Sequence, residues 1–415
     1  MKIGLLGFGT IGTGVYELIN IAGKSRFPEN FSSPPHITKI LDKDPDKKVY
    51  PGDDWAQVVT DPDAIIGDPE IELIVALCGG MDFEYNMIKR ALSAGKHVVT
   101  ANKAVISEYF EELTTLAKEN NVILRYEAAV GGGIPVIAEL KRQLRLNHIS
   151  EIKGILNGTT NFILSKMTAE FADFDETLRL AQQVGFAEAD PSADIDGYDV
   201  SRKLAILSSL AYGGIIRDED VRKRTLSDVR ALDIEYVGDN GYVIKYLGHS
   251  MYKLDGSVYT TVEPVLVPKV SMLSNVNSEF NIVSIKGDVI GELQFYGKGA
   301  GKEATANAVV SDVLAIIDQL TYDVPPVRED FSNTLHKEGV KAFNGRYYLR
   351  VDIDRTETLD LVLKTISAID DHLQIVLDKT HVFILTGVVS ADVFDQAADK
   401  IRKVQPNLFY ARIYE

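Results

Sequence analysis

The pattern Gly7-x-Gly9-x-x-Gly12, set directly after the apolar residues Ile3, Leu5 and Leu6, constrains this chain more than any other feature. It places a glycine turn between a strand and a helix at the start of the protein. In such a turn Gly7 lets the chain reverse, Gly9 lets a pyrophosphate approach the backbone, and Gly12 lets the helix pack close to the strand. Val15, Leu18, Ile19 and Ala22 then recur at helical spacing. A helix start in this position offers free N–H groups and a partial positive charge to phosphates. The pattern therefore predicts dinucleotide binding, with a purely structural βα turn as the alternative.

Composition narrows the partners. A net charge of −16 over 415 residues argues against nucleic acid and anionic membrane surfaces. No apolar stretch is long enough to span a bilayer, and the N-terminus reads as a strand rather than a secretory leader. The single cysteine, Cys78, excludes an intrachain disulfide framework and fits a cytoplasmic location. Cys78 follows the strand-like run Leu73–Leu77, where it reads as a buried, inert thiol in preference to a nucleophile.

Strand and helix signals alternate up to about residue 126: strands at Ile37–Leu41, Leu73–Leu77, His97–Val99 and Val122–Tyr126, helices at about Phe83–Ala94 and Ser107–Glu119. That rhythm predicts a parallel sheet with helices on its faces. Asp42 after the second strand favours NAD, and Lys43 favours NADP, so both cofactors stay open. A strand at about Ile149–Leu156 follows, then two or three helices up to Tyr212, and mostly β signals from Tyr242 to Tyr296. Asp255-Gly256 reads as a hairpin turn. A helix carries Val309, Val313, Ile316 and Leu320, and Pro325 to Asn344 reads as a linker. The last 70 or so residues read strand, helix, strand, strand, helix, strand, a small independent α+β domain.

The segment from Glu188 to Lys203 is the most unusual. It crowds Glu188, Asp190, Asp194, Asp196 and Asp199 into a loop and a helix start. Beyond it Val200, Leu204, Leu207 and Ala211 form an apolar stripe, with Ile206 and Leu210 beside it. Following that second stripe backward gives Lys203 and then Asp199, one helical turn apart and facing the core. A buried structural ion pair is one explanation. The other is a substrate site in which the lysine gives a proton to a developing alkoxide, with carboxylates suited to a substrate ammonium. Lys103, in Ala101-Asn102-Lys103, follows a strand end where ligands of parallel sheets bind. It is either a site residue or a surface lysine. Gly131-Gly132-Gly133 reads as a hinge, or as backbone that could wrap a hard cation.

These residues together resemble homoserine dehydrogenase, from Met1 to about Leu320. The motifs are Gly-Phe-Gly-Thr-Ile-Gly at 7–12, Thr-Ala-Asn-Lys-Ala at 100–104, Tyr-Glu-Ala-Ala-Val-Gly-Gly-Gly-Ile-Pro at 126–135, Gly-Ile-Leu-Asn-Gly-Thr-Thr-Asn at 154–161 and the acidic segment ending in Lys203. The resemblance implies an α/β protein: a Rossmann-type parallel sheet domain (1–128, completed by a helix at about 302–322), an α+β catalytic and dimerisation domain (129–301), a linker (323–345) and a small C-terminal ACT-like α+β domain (346–415). It implies reversible reduction of L-aspartate 4-semialdehyde to L-homoserine with NADP or NAD, by a homodimer or homotetramer. Lys203 is then the proton donor and Lys103 its assistant, with Glu188, Asp199, Asp194 and Thr159 on the substrate. Gly7, Phe8, Gly9, Thr10, Ile11, Gly12, Lys43, Cys78, Gly79, Lys103, Gly185 and Gly301 would meet the cofactor. A sodium-like ion would be held by Glu127, Val130, Gly132 and Ile134, mainly through main-chain oxygens.

Two departures stand out. The loop at 297–306 reads Gly-Lys-Gly-Ala-Gly-Lys-Glu-Ala-Thr-Ala where the family usually has prolines. The ACT-like segment has Asp352-Ile-Asp-Arg-Thr-Glu-Thr where an Asp-x-Pro-Gly turn is usual. The alternatives to this dehydrogenase are a non-catalytic sensor of dinucleotide and amino acid, and a Rossmann-type reductase of another amino-acid aldehyde.

Overall fold

A computed structural model describes residues 1–27, 34–47, 56–325, 329–338 and 343–414. It divides into two compact units, Met1–His148 with Ala205–Arg217 and Phe295–Asn333, and Ile149–Leu204 with Asp218–Gln294 and Thr334–Glu415.

In the first unit six parallel strands run in the order β3-β2-β1-β4-β5-β6. They are β1 (Lys2–Leu6), β2 (His36–Leu41), β3 (Gln57–Val59), β4 (Leu73–Ala76), β5 (His97–Thr100) and β6 (Leu124–Arg125). β4 is buried at every position and β1 at all but its first. A central parallel strand is covered on both faces, which is why these two read as unbroken apolar runs. The helices are α1 (Thr10–Tyr16, continued by a π turn Glu17–Ile21), α2 (Gly23–Arg26), α3 (Asp63–Ile66), α4 (Asp82–Ser93), α5 (Lys103–Glu119) and α6 (Val136–Gln143). A later helix, α12 (Lys302–Thr321), returns to this unit. Its Val309, Val313 and Ile316 share one core with Ile3, Leu5, Val15, Leu73 and Val75. Helix α5 starts four residues before the predicted Ser107. The Asn102 side chain caps it by accepting the Ala104 and Val105 amides, a local bond that apolar periodicity does not report.

The second unit is built on a mixed sheet in the order β12-β11-β7-β9-β10-β19-β15-β17-β16. Its members are β7 (Ile149–Ile155), β9 (Tyr242–Tyr252), β10 (Ser257–Pro268), β11 (Phe280–Gly287), β12 (Gly291–Lys298), β15 (Tyr347–Asp352), β16 (Gln374–Leu377), β17 (His381–Leu385) and β19 (Leu408–Ile413). Short strands β8 (Arg222–Lys223) and β13 (His336–Lys337) also pair with β10, and β14 (Asn344–Gly345) pairs with β18 (Val389–Ser390). The helices are α7 (Gly158–Glu170), α8 (Phe174–Gln183), α9 (Ser192–Ile195), the first half of α10 (Tyr198–Tyr212, of which Ala205 onward is counted with the first unit), α11 (Ala231–Asp239), α13 (Thr356–Ser367) and α14 (Ala391–Arg402).

The C-terminal segment has the expected strand–helix–strand–strand–helix–strand order, but it is not independent. Strand β19 pairs in parallel with β10, setting Val265 against Arg412 and Leu266 against Ile413. Buried Arg412 lies 3.2 Å from buried Glu263 on β10. Alternation along the chain identifies a strand without naming the strand that will lie beside it.

Of the predicted linker, residues 326–328 and 339–342 lie outside the described residues. The rest is packed. The Glu329 carboxylate accepts the Tyr126 hydroxyl at 2.8 Å and the Lys141 ammonium at 2.5 Å, and the Asn333 amide donates to the Gly213 carbonyl at 2.8 Å.

Candidate active site

The predicted cofactor residues of the first unit cluster at the carboxyl ends of β1, β4 and β5. Gly7 turns with φ +101°, and a Cβ there would meet the Leu77 carbonyl oxygen at 2.5 Å and the Cys78 Cα at 2.7 Å. A Cβ at Gly12 would sit 2.1 Å from the Gly7 oxygen. A Cβ at Gly9 would meet nothing within 4 Å, and no side chain caps α1, whose first residues are Thr10 and Ile11. Two of the glycines are thus required by the chain itself, while Gly9 leaves open space before an uncapped helix start. Phe8 is buried against Tyr16.

Next along the same rim are Cys78 and Gly79. Burial, with the Glu84 carboxylate nearby, pushes the Cys78 thiol up to about 12, so no thiolate nucleophile exists at neutral pH. Lys103 is half-buried at the first position of α5, held there by the Asn102 cap. Lys43 is exposed, and Asp42 is engaged by Lys47 at 2.6 Å. Gly301, at φ +112°, precedes α12 with open space around it.

The triple-glycine segment is a packed turn with fixed partners. The Gly133 amide donates to the Lys298 carbonyl at 3.1 Å, and a Cβ on Gly132 would lie 2.4 Å from the Gly299 oxygen. The buried Glu127 carboxylate accepts the Ile137 and Ala138 amides, each at 2.7 Å, at the start of α6. Burial, with Asp312 beside it, raises that carboxyl to about 7. The Glu127 side chain is thus committed to the helix, and the Glu127 and Ile134 main-chain oxygens accept the Val130 and Val136 amides at 3.3 and 2.8 Å. Among the described residues no cluster of three or more His, Cys, Asp or Glu side chains could hold a metal ion.

In the second unit two carboxylates of the acidic segment, Asp199 and Asp194, gather near Lys203, while Glu188 and Asp190 are exposed. Helix α10 buries Val200, Leu204, Ile206 and Leu207 completely, and Asp199 and Lys203 are 5% and 8% exposed. The Lys203 ammonium donates to Asp199 Oδ2 at 2.7 Å and to the Leu156 carbonyl at 2.6 Å. The Asn157 amide donates to Asp199 Oδ2 at 2.8 Å and to Asp194 Oδ1 at 2.7 Å, while its Oδ1 caps α7 through the Thr160 amide. Burial and the neighbouring Asp199 raise the Asp194 carboxyl above its ordinary value. The Thr159 hydroxyl donates to the Phe186 carbonyl at 2.6 Å. Gly185 ends α8 in the left-handed region at φ +81°, and Glu188 is exposed.

Asn157 and Glu84 had no assigned role in the sequence reading. Asn157 carried a signal, since an asparagine before a helix is a cap. Glu84 carried none, because an acid in the first turn of a helix ordinarily faces solvent.

A parallel sheet opening on this glycine turn, in a chain that also buries a lysine–carboxylate pair among polar side chains, defines an NAD(P)-dependent oxidoreductase. Residues 7–127 match the family model described as homoserine dehydrogenase, NAD binding domain, and residues 135–314 match the homoserine dehydrogenase model. The chain belongs to the homoserine dehydrogenase family. It is 44% identical to the homoserine dehydrogenase of Synechocystis over 329 residues, 77% of this chain and 74% of that one. It is 38% identical to that of Bacillus subtilis over 357 residues, 85% and 81% of the two chains. A crystal structure of a homoserine dehydrogenase from Thiobacillus denitrificans superposes with a TM-score of 0.91 at 32% identity, covering 100% of this chain and 98% of that one. A hyperthermophilic archaeal homoserine dehydrogenase in complex with NADPH gives 0.64 at 27% identity, covering 79% and 99%. Among the described residues no helix is long and apolar enough to cross a membrane.

Proposed function

We propose that Lys203 is the proton donor in the reversible reduction of L-aspartate 4-semialdehyde to L-homoserine, and that Lys103 assists near the nicotinamide and substrate. The observation that carries this reading is a lysine ammonium buried on a core-facing helix and held at 2.7 Å by a carboxylate one turn away. When bound, the reduced nicotinamide supplies the hydride. Hydride on the carbonyl carbon leaves an alkoxide oxygen that needs a proton, and Lys203 gives it. Such acid catalysis is commonly worth about 10²–10⁴ in rate. Asp199 accepts from the ammonium and holds it in place, and Asn157 holds Asp199 and Asp194 together by donating to both. Asp199, Asp194, Glu188 and Thr159 would take the polar end of the substrate. In homoserine oxidation Lys203 takes the proton back.

The first unit fits a dinucleotide: Gly9 leaves room for the pyrophosphate, the uncapped start of α1 offers amides, and Cys78, Gly79, Gly301 and Lys43 line the surrounding turns. Gly185 is the further cofactor contact, from the end of α8. NADP and NAD are both candidates. A sodium-like ion on main-chain oxygens of Glu127, Val130, Gly132 and Ile134, a homodimer or homotetramer, and a cytoplasmic location complete the reading.

The test is a spectrophotometric assay with homoserine and each cofactor. Lys203→Ala should lose turnover by about 10²–10⁴ while still binding homoserine in calorimetry. Full activity in that variant removes the donor role, and absence of turnover in the parent chain favours a sensor.

Residues 346–415 are read as an ACT-like sensing module, supported by their element order. Against an open ligand turn, the Asp352 carboxylate is taken by Arg230 and Arg350, each at 2.9 Å. Threonine titration that leaves activity and melting temperature unchanged removes a feedback role.

A further inference from the structure

Glu84 lies on α4, 1% exposed, with its carboxylate turned away from solvent. Burying a carboxylate is costly unless its oxygens are satisfied, and here both are. Oε2 accepts the Gly79 amide and Oε1 accepts the Thr100 hydroxyl, each at 2.7 Å. The Thr100 oxygen accepts in turn the Asn102 amide at 3.0 Å, and the Asn102 side-chain amide donates back to the Gly80 carbonyl at 3.0 Å. The Asn102 Oδ1 caps α5 through Ala104 and Val105 at 3.1 and 3.2 Å. The bonds form a closed circuit from Glu84 through Gly79-Gly80, Asn102 and Thr100 back to Glu84. It spans the turn after β4 and the turn after β5.

The circuit matters because the turn it ties is exposed and built on two glycines. Gly79 and Gly80 have φ +71° and +75°, and a Cβ on either would meet nothing within 4 Å. Neither glycine has a side chain to anchor the turn, and the hydrogen bonds of the circuit tie it down. The polarity is also specific. The two Glu84 oxygens accept from two different turns, and the Thr100 hydroxyl, which has lone pairs enough to accept the Asn102 amide, gives its one proton to the carboxylate. A glutamine can keep the Gly79 bond through its amide oxygen, but its NH2 group then donates to the Thr100 oxygen in place of accepting from it, so the Thr100 bond is reversed and the charge assistance of both bonds is lost. For a fold-only role an apolar residue on α4 would avoid the desolvation cost altogether.

We propose that Glu84 is a positioning residue for the reaction: it locks the Gly79-Gly80 turn to the Thr100–Asn102 turn and so sets the start of the helix that carries Lys103. This rests on the reading of Lys103 as a site residue. Misplacing a reacting group by a fraction of an ångström is enough to lower a rate severalfold to a hundredfold.

The experiment compares steady-state kinetics of homoserine oxidation in Glu84→Gln, Thr100→Val, Thr100→Ser, the Glu84→Gln/Thr100→Val double variant and Lys103→Ala, with a melting curve for each. The expected result is a fall in kcat of about tenfold in Glu84→Gln and Thr100→Val, with KM for homoserine changed less than about twofold and melting temperatures within a few degrees of the parent. Thr100→Ser, which keeps the hydroxyl, should restore kcat, and the double variant should be no slower than the slower single one. If Glu84→Gln fails to fold, the Thr100→Val and Thr100→Ser pair decides. Unchanged kcat in Glu84→Gln or Thr100→Val, multiplicative losses in the double variant, or losses that simply follow melting temperature overturn the proposal. Full turnover in Lys103→Ala overturns the underlying reading instead. Impairment in Lys103→Ala with an unimpaired Glu84→Gln overturns only the positioning role.

Discussion

The Lys203 ammonium lies 2.7 Å from Asp199 Oδ2, one helical turn back on α10, and both side chains are at most 10% exposed. An ion pair so placed suits the donor role proposed for Lys203, because it fixes the ammonium in a buried setting. Replacing Asp199 by Asn removes the carboxylate that holds the ammonium in place. The reductive kcat should fall well below that of the parent chain. Steady-state kinetics with the semialdehyde check this, and an unchanged kcat with a raised KM would assign Asp199 to substrate binding alone.

The glycines of the first turn separate structural from ligand requirements. Gly7→Ala places a Cβ on the Leu77–Cys78 backbone at positive φ, so the variant should lose at least about 1–3 kcal/mol of stability. Gly9→Ala meets open space and should melt with the parent, yet raise KM for the dinucleotide. Equal melting temperatures for both variants would contradict the backbone geometry.

The second unit is braced by a fully buried ion pair. Asp233 accepts Arg350 Nε at 2.9 Å and the Tyr348 hydroxyl at 2.6 Å, with Asp233 0% and Arg350 1% exposed. Asp233→Ala leaves a guanidinium buried without that partner and should cost about 3–5 kcal/mol, read as a lower urea midpoint.

Cutting the chain after Glu338 tests the same unit differently. It strips β19 from β10 and uncovers Glu263, His249 and Arg222. The shortened chain should aggregate on expression. A soluble, active product would show that the catalytic sheet is complete without β19.

Lys245 gives a pH signature. Its ammonium is buried among the Val276 carbonyl at 2.5 Å and the side-chain oxygens of Asn277 and Asn161 at 3.2 and 3.3 Å. Burial lowers its pKa from 10.5 to about 8. Between those values the unfolded chain holds more protons than the folded one, so stability rises with pH in that window. The penalty is present in full below about pH 8 and is relieved toward 10.5. The melting temperature of the parent relative to Lys245→Met should therefore climb from pH 7.5 to 10, and a flat difference would show that burial leaves Lys245 unaffected.

Local chemistry was legible in the residues themselves. The glycine turn, the alternation of β1, β2, β4, β5 and β6 with the helices between them, and the stripe that brings Asp199 and Lys203 to one face of α10 follow from spacing, because a helix or strand imposes its period on its own sequence; the three-residue β3 is too short to carry a period and was not foreseen. Contacts between segments far apart in the chain were not. Nothing near Asn157 announces that its amide will bridge Asp194 and Asp199, nothing near Glu84 announces Thr100 and Gly79, and nothing near Arg412 announces Glu263. Those partners are set when sheets pair and helices pack, and a hydrogen bond or ion pair formed across such distances leaves no period behind. The candidate site residues were therefore written into the primary structure, and the partners that hold them in place were chosen by folding.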